Sequence, residues 1–301
     1  MKKAIIILLA ALAVVAGVVA FKNVYSCDIP IKNRGIRDAI NTGDLDVLFI
    51  GSSTFRANID MHMMDEVTDG RVYDVSYGGN HMVATQIQYE EIKKRSPYKY
   101  GLIAFEMGPM ILTQQTDLSD SRVIWDLSWE GKKELWKKME ESGTTTKSMM
   151  YEYFVTSGID DLATYFITEP FYGTRYYKGA KTEETVSPGK EVLERAEFDI
   201  SEKEFVPAQI EAVNNIIDMC RADGQEFIFV ESPCYHKLAD DEKYKECLER
   251  FREILDEKEA PYITAEDVDF DNTNADFFED MNHMSAKGKQ EYTKELIKKI
   301  L

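Results

Sequence analysis

Along this chain, short and almost unbroken apolar runs alternate with longer stretches in which apolar residues recur at helical spacing. Leu45–Ile50 (LDVLFI), Val72–Ser76, Tyr100–Glu106 (YGLIAFE) and Glu226–Glu231 (EFIFVE) predict strands, with Pro261–Thr264 a short fifth. Runs this apolar suit strands covered on both faces. Met82–Lys94 and Ala208–Ala222 read as helices, the second stopping at Gly224, a fitting C-terminal cap. Glu242–Leu255 puts Tyr244, Leu248, Phe251 and Leu255 on one stripe. Ser285 is placed to cap a last helix carrying Tyr292, Leu296 and Ile300. Strand and helix alternate, which predicts an α/β chain: a three-layer α/β/α sandwich on a mostly parallel five-stranded sheet.

One stretch breaks this rhythm. Residues 112–205 show no clear strand and hold Trp125, Trp129, Trp136 and the run Phe171-Tyr172-Gly173-Thr174-Arg175-Tyr176-Tyr177. This predicts a helical insertion within a single domain spanning residues 23–301. It either only covers the sheet or forms a wall over a site, where exposed aromatics would stack on glycans.

The N-terminus carries a different pattern. Lys2 and Lys3 precede an unbroken apolar run, Ala4–Phe21. As a helix it would be about 27 Å long, close to the roughly 30 Å of a bilayer core. No face of it is polar, which argues against a soluble core helix. Residues 1–22 therefore read as a membrane anchor or a cleaved signal peptide. The anchor is favoured, because Val18 and Ala20 offer only a weak cleavage site and no helix-breaking stretch of small residues comes after. Val24-Tyr25-Ser26-Cys27 is a poor lipoprotein site, separated from the run by Lys22. Lys22, Lys32, Arg34 and Arg37 oppose the positive-inside rule, yet the signal-like layout predicts a single-pass anchor with the domain outside the cytoplasm.

Composition narrows the function further. Of 301 residues 30% are charged and 44% hydrophobic, the profile of a folded globular protein. The net charge of −18, with no cluster of Lys and Arg, excludes nucleic acid as a partner. Of the four cysteines, Cys220 and Cys247 share helical faces with apolar residues and read as buried thiols. A Cys234–Cys247 disulfide stays open on sequence alone, and the spacings match no zinc pattern.

Ligands of an open α/β sheet bind beyond the carboxyl ends of its strands, so the residues just after each apolar run are the candidates for chemistry. The first strand ends in Gly51-Ser52-Ser53, a hydroxyl where chain enters a helix. The second ends in Gly78-Gly79-Asn80, where missing side chains let a backbone N–H approach a ligand. Asp280-Met281-Asn282-His283 precedes the last helix, and an Asp three residues before a His can reach its Nδ1, leaving Nε2 to take a proton from a serine.

These blocks resemble the SGNH (GDSL-like) hydrolase and acyltransferase superfamily. Gly51-Ser52-Ser53 matches its first block, with Ser52 in place of the Asp; Asp74-Val75-Ser76-Tyr77-Gly78-Gly79 matches its second; Asp280 and His283 match its last. The resemblance spans roughly residues 45–110 and 225–295 and leaves the insertion uncovered. The Gly-Ser-Ser form, the N-terminal run and the long insertion look most like the cell-envelope branch containing the DltD-type proteins. The resemblance implies a flavodoxin-like fold, a Ser53–His283–Asp280 triad, and oxyanion donors at the Ser53 and Gly79 N–H groups. It also implies acyl groups of cell-envelope glycans or polymers as substrate, with no cofactor and no metal. One departure is material: where the family's third block supplies an Asn donor, this chain has Met110, in Glu106-Met107-Gly108-Pro109-Met110. Asn80 and His81 are candidates for a further donor, His81 alternatively being a solvent-facing residue at a helix start; Arg56 either holds an anionic acceptor or is an exposed side chain paired with Asp60. The residues admit two readings, a serine esterase or O-acyltransferase and a non-catalytic scaffold that keeps the fold.

Overall fold

The computed structural model describes residues 2–21, 32–116, 118, 122–142, 146–151, 176–182, 184–197 and 204–301. It opens with α1 (Lys2–Ala20), α2 (Gly35–Thr42), β1 (Leu45–Ile50), α3 (Ser53–Asn58), α4 (Met61–Thr68), β2 (Val72–Asp74), α5 (Met82–Arg95) and β3 (Tyr100–Glu106). A 3₁₀ turn at Pro109–Thr113 leads into α6 (Arg122–Asp126), α7 (Trp129–Glu141), α8 (Lys147–Tyr151), β4 (Tyr176–Tyr177), β5 (Ala180–Lys181) and α9 (Lys190–Arg195). The chain ends with α10 (Pro207–Asp223), β6 (Glu226–Val230), α11 (His236–Ala239), α12 (Glu242–Glu257), β7 (Tyr262–Ile263) and α13 (Ala286–Ile300).

Five strands form one parallel sheet in the order β2-β1-β3-β6-β7. Successive side chains of a strand face opposite ways, so each apolar run feeds two cores. Leu48, Ile50, Ile103, Phe105 and Phe229 join α2, α5, α10 and α12 in one core. Val47, Phe49, Ala104 and Val230 join α3, α4, α11 and α13 in the other. This is the three-layer α/β/α arrangement. The strand order reverses direction beside β1, and the carboxyl end of β1 therefore opens at a switch point of the sheet.

The expected strands and helices are present, with ends that coincide or shift by at most two residues. The stretch 112–205 adds helices, as expected, and also a hairpin that the pattern does not signal. Two-residue strands are too short to show a period of two, and the hairpin is made by its turn. Lys178 (φ 47°) and Gly179 (φ 91°) both take the left-handed conformation that a two-residue hairpin turn requires. Trp125 is buried and Trp136 packs on the first core, whereas Trp129 is exposed. Phe171 to Arg175 lie outside the described residues, as does Cys27. Cys220, Cys234 and Cys247 are free and buried, so the open Cys234–Cys247 disulfide is not formed. Helix α1 makes no buried contact and, at a mean hydropathy of 2.7, is long and apolar enough to cross a membrane.

Several carboxyls are buried inside this acidic protein. Burial raises Asp38, Asp74, Glu106, Asp126 and Glu231 from their ordinary carboxyl values, Asp74 to about 6. A raised carboxyl binds its proton more tightly folded than unfolded, so its contribution is lost as pH rises through the folded value. Stability to urea should therefore increase between pH 7 and pH 5, with Asp74 supplying about 1 kcal/mol of the change. Asp74→Asn should remove that share; an unaltered slope in the variant would exclude Asp74 as a source.

Candidate active site

Ser53 is the first residue of α3, immediately beyond the carboxyl end of β1. Ser52 is the cap of that helix, its Oγ accepting from the Thr54 N–H at 3.3 Å. At the far end of the chain, the loop before α13 folds so that the Asp280 carboxylate accepts from the Asn282 and His283 N–H groups at 2.9 and 2.8 Å. The same carboxylate lies 2.7 Å from His283 Nδ1, and His283 Nε2 lies 2.9 Å from Ser53 Oγ. Burial alone would raise the Asp280 carboxyl, but the His283 ring and the two N–H donors outweigh it and hold it below its ordinary value. An ionised Asp280 requires the ring proton on Nδ1, which leaves Nε2 bare to accept from the serine hydroxyl.

The Asp280–His283 loop is tied to α3 through Asn58. Its Nδ2 donates to the Asn282 carbonyl at 3.0 Å and its Oδ1 accepts from the Met284 N–H at 2.8 Å. Asn58 is fully buried, so this pair of bonds fixes how far the histidine stands from the serine.

A cavity of about 180 Å³ opens beside Ser53. Gly79 (φ 59°), Met107, Pro109, Met110, Ile111, Cys234, Leu238 and Tyr244 contribute to its wall, together with the polar Ser232, Gln114 and Asn282. Met110 does line the cavity, so the position expected to carry an Asn donor presents a thioether instead. Burial pushes the Cys234 thiol up to about 12, which keeps it from competing with Ser53 as a nucleophile.

The second loop is pinned to the first. The Tyr77 N–H donates to the Gly51 carbonyl at 3.1 Å, and Asn80 Nδ2 donates to the same oxygen at 3.2 Å. Asn80 Nδ2 also contacts Thr85 Oγ1 at 3.1 Å and Gln88 Oε1 at 2.8 Å. Asn80 is therefore engaged as a buried clamp between the two loops, not as a donor to a ligand. His81 is likewise fully buried and caps α5, its Nδ1 accepting from the Ala84 N–H at 3.2 Å. Neither belongs to the cavity wall, because the tightly turned Gly78-Gly79 segment directs the chain inward toward α5. Arg56 is also outside that wall; its charge acts on Asp74 and on Tyr176 of the hairpin. None of Asn80, His81 and Arg56, the residues expected to bind substrate, lines this cavity.

Several polar residues of the wall were not expected as site residues from the sequence, among them Glu106, Gln114, Ser232 and Asn282. A signal for Glu106 exists, since it ends an apolar strand on the side of the sheet where ligands bind. Glu231 directly follows β6 but does not line the cavity; it is satisfied by Tyr244 Oη at 3.1 Å and the Ala265 N–H at 3.0 Å. Among the described residues no group of three or more His, Cys, Asp or Glu side chains is placed to hold a metal ion.

No protein-family model matches the chain, and no curated protein matches it in sequence. Among solved structures, one from Bacteroides fragilis described as a "putative acylhydrolase" is similar with a TM-score of 0.43 and 10% identity, covering 88% of this chain and 93% of that one.

Proposed function

We propose that this protein is a serine esterase or O-acyltransferase of the SGNH kind, acting on acyl groups of cell-envelope glycans or polymers. The observation that carries the reading is the 2.9 Å contact between Ser53 Oγ and His283 Nε2, with Asp280 at 2.7 Å on the other ring nitrogen. Ser53 Oγ attacks the acyl carbonyl as His283 takes its proton, and Asp280 stabilises the imidazolium. The N–H groups of Ser53 and Gly79 receive the developing oxyanion. His283 then returns the proton to the leaving alcohol, and water or an acceptor hydroxyl releases the acyl group from Ser53.

A fluorophosphonate probe tests the reading, because only an activated serine reacts. The full chain in detergent should be labelled at Ser53 and should hydrolyse a small activated acetyl ester. A second reading, a non-catalytic scaffold, rests on Met110 at the wall in place of an oxyanion donor; an unlabelled folded protein would support it. The cell-envelope setting rests on α1 as a single-pass anchor with the domain outside. The protein should fractionate with membranes, and protease added to intact spheroplasts should digest the domain. Full protection would reverse the orientation.

A further inference from the structure

Glu106 ends β3, and the register that pairs Ile50 with Phe105 sets it beside the turn at the end of β1. Its side chain is buried at that turn. One carboxylate oxygen accepts from the Ser52 N–H, and the other accepts from Ser52 Oγ at 2.9 Å. The Thr54 side chain adds a further hydrogen bond. Ser52 Oγ thus donates to Glu106 while its lone pair caps α3 through the Thr54 N–H. The carboxylate fits only because residue 51 is glycine: a Cβ there would stand 2.6 Å from Glu106 Oε2 and 2.7 Å from its Cβ.

We propose that Glu106 is a positioning residue of the acyl-transfer site, clamping Ser52 from both sides so that the turn presents Ser53 Oγ to His283 and the Ser53 N–H to the cavity. The proposal rests on Ser53 being the nucleophile. A carboxylate suits this geometry, since it accepts from the Ser52 N–H and from the Ser52 hydroxyl at once. Glutamine has the same shape but one oxygen. Its NH₂ would meet either the Ser52 N–H, donor against donor, or Ser52 Oγ, whose hydroxyl hydrogen would then have to turn away and whose bond to residue 106 would reverse. Burial raises the Glu106 carboxyl, and the bonds from Ser52 and Thr54 and the charge of His283 oppose that rise. The Glu106 charge also acts on Asp74, whose carboxyl it helps to raise.

Fluorophosphonate labelling of the full chain, resolved into kinact and KI, tests this. Glu106→Gln should lower kinact about 10–100-fold, as expected for a nucleophile displaced by a fraction of an ångström, with KI unchanged. Glu106→Asp, which keeps the charge but falls short of Ser52, should recover part of the loss. A folded Glu106→Gln with wild-type kinact overturns the proposal while leaving the proposed function standing. An unlabelled wild type removes the proposed function and this role with it. If Glu106→Gln does not fold, Glu106→Asp decides: lowered kinact at constant KI supports the role, and wild-type kinact overturns it. Loss of fold in both variants assigns Glu106 to stability alone and also overturns it.

Discussion

Ser53→Ala should abolish ester hydrolysis and probe labelling, and His283→Ala should lower turnover by about 10⁴–10⁶-fold, with the fold retained in both. The expectation comes from how little else at the site can do their work. Among the described residues, the one thiol on the cavity wall, Cys234, has its thiolate suppressed by burial. Among those same residues, none of the other histidines lines the cavity, and it is His283 Nε2 that stands 2.9 Å from Ser53 Oγ. Asp280→Asn should cost about 10⁴-fold, because an amide at that position favours the wrong ring tautomer. Circular dichroism and thermal midpoints should stay near wild type, since Ser53 and His283 are partly exposed and make few packing contacts. Turnover that survives Ser53→Ala would sink the mechanism.

Gly179→Ala should destabilise the protein by about 3 kcal/mol or more, lowering Tm by roughly 6 °C or more. Gly179 is the second residue of the turn between β4 and β5, and the hairpin docks on the end of β2. The Asp74 N–H donates to the Lys178 carbonyl at 2.8 Å, and the Gly179 N–H donates to the Asn33 carbonyl at 2.9 Å. A Cβ at Gly179 would overlap the Asp74 carbonyl oxygen, a backbone atom that cannot turn aside. Gly189 supplies the control. It has the same φ of 91° but open space around a Cβ, so Gly189→Ala should lose only the conformational part, about 1 kcal/mol. Equal Tm losses in the two variants would mean that the hairpin contact contributes nothing. The comparison bears on function as well, because β2 leads through Val75 and Ser76 to the glycine proposed to hold the oxyanion.

Features that depend on neighbours in the chain could be read from the sequence. The strands are legible because strands buried on both faces are apolar at every position, whatever they pack against. The Asp280–His283 pair is legible because three residues of loop bring a carboxylate to a ring nitrogen without help from the rest of the fold. Ser53 at a strand end is legible as a position, though not as a nucleophile. The resemblance to a known superfamily joined these pieces and expected Ser53 and His283 to meet.

Tertiary structure alone decided what depends on register and burial. The meeting of Ser53 with His283 spans 230 positions and exists because α13 packs against α3 on one face of the sheet, with Asn58 bridging them. Glu106 became part of the site through the one-residue register between β1 and β3; a slip of one would turn its side chain to the other face of the sheet. Asn80 and His81, polar residues after a glycine pair, read as available donors, yet the chain turns inward there, and both are buried with Asn80 Nδ2 and His81 Nδ1 engaged by protein partners. The hairpin left no trace in hydrophobic pattern because four strand residues cannot establish a period. A sequence carries the preferences of each segment, whereas which two segments share an edge, and in which register, is settled only when all of them compete for the same core.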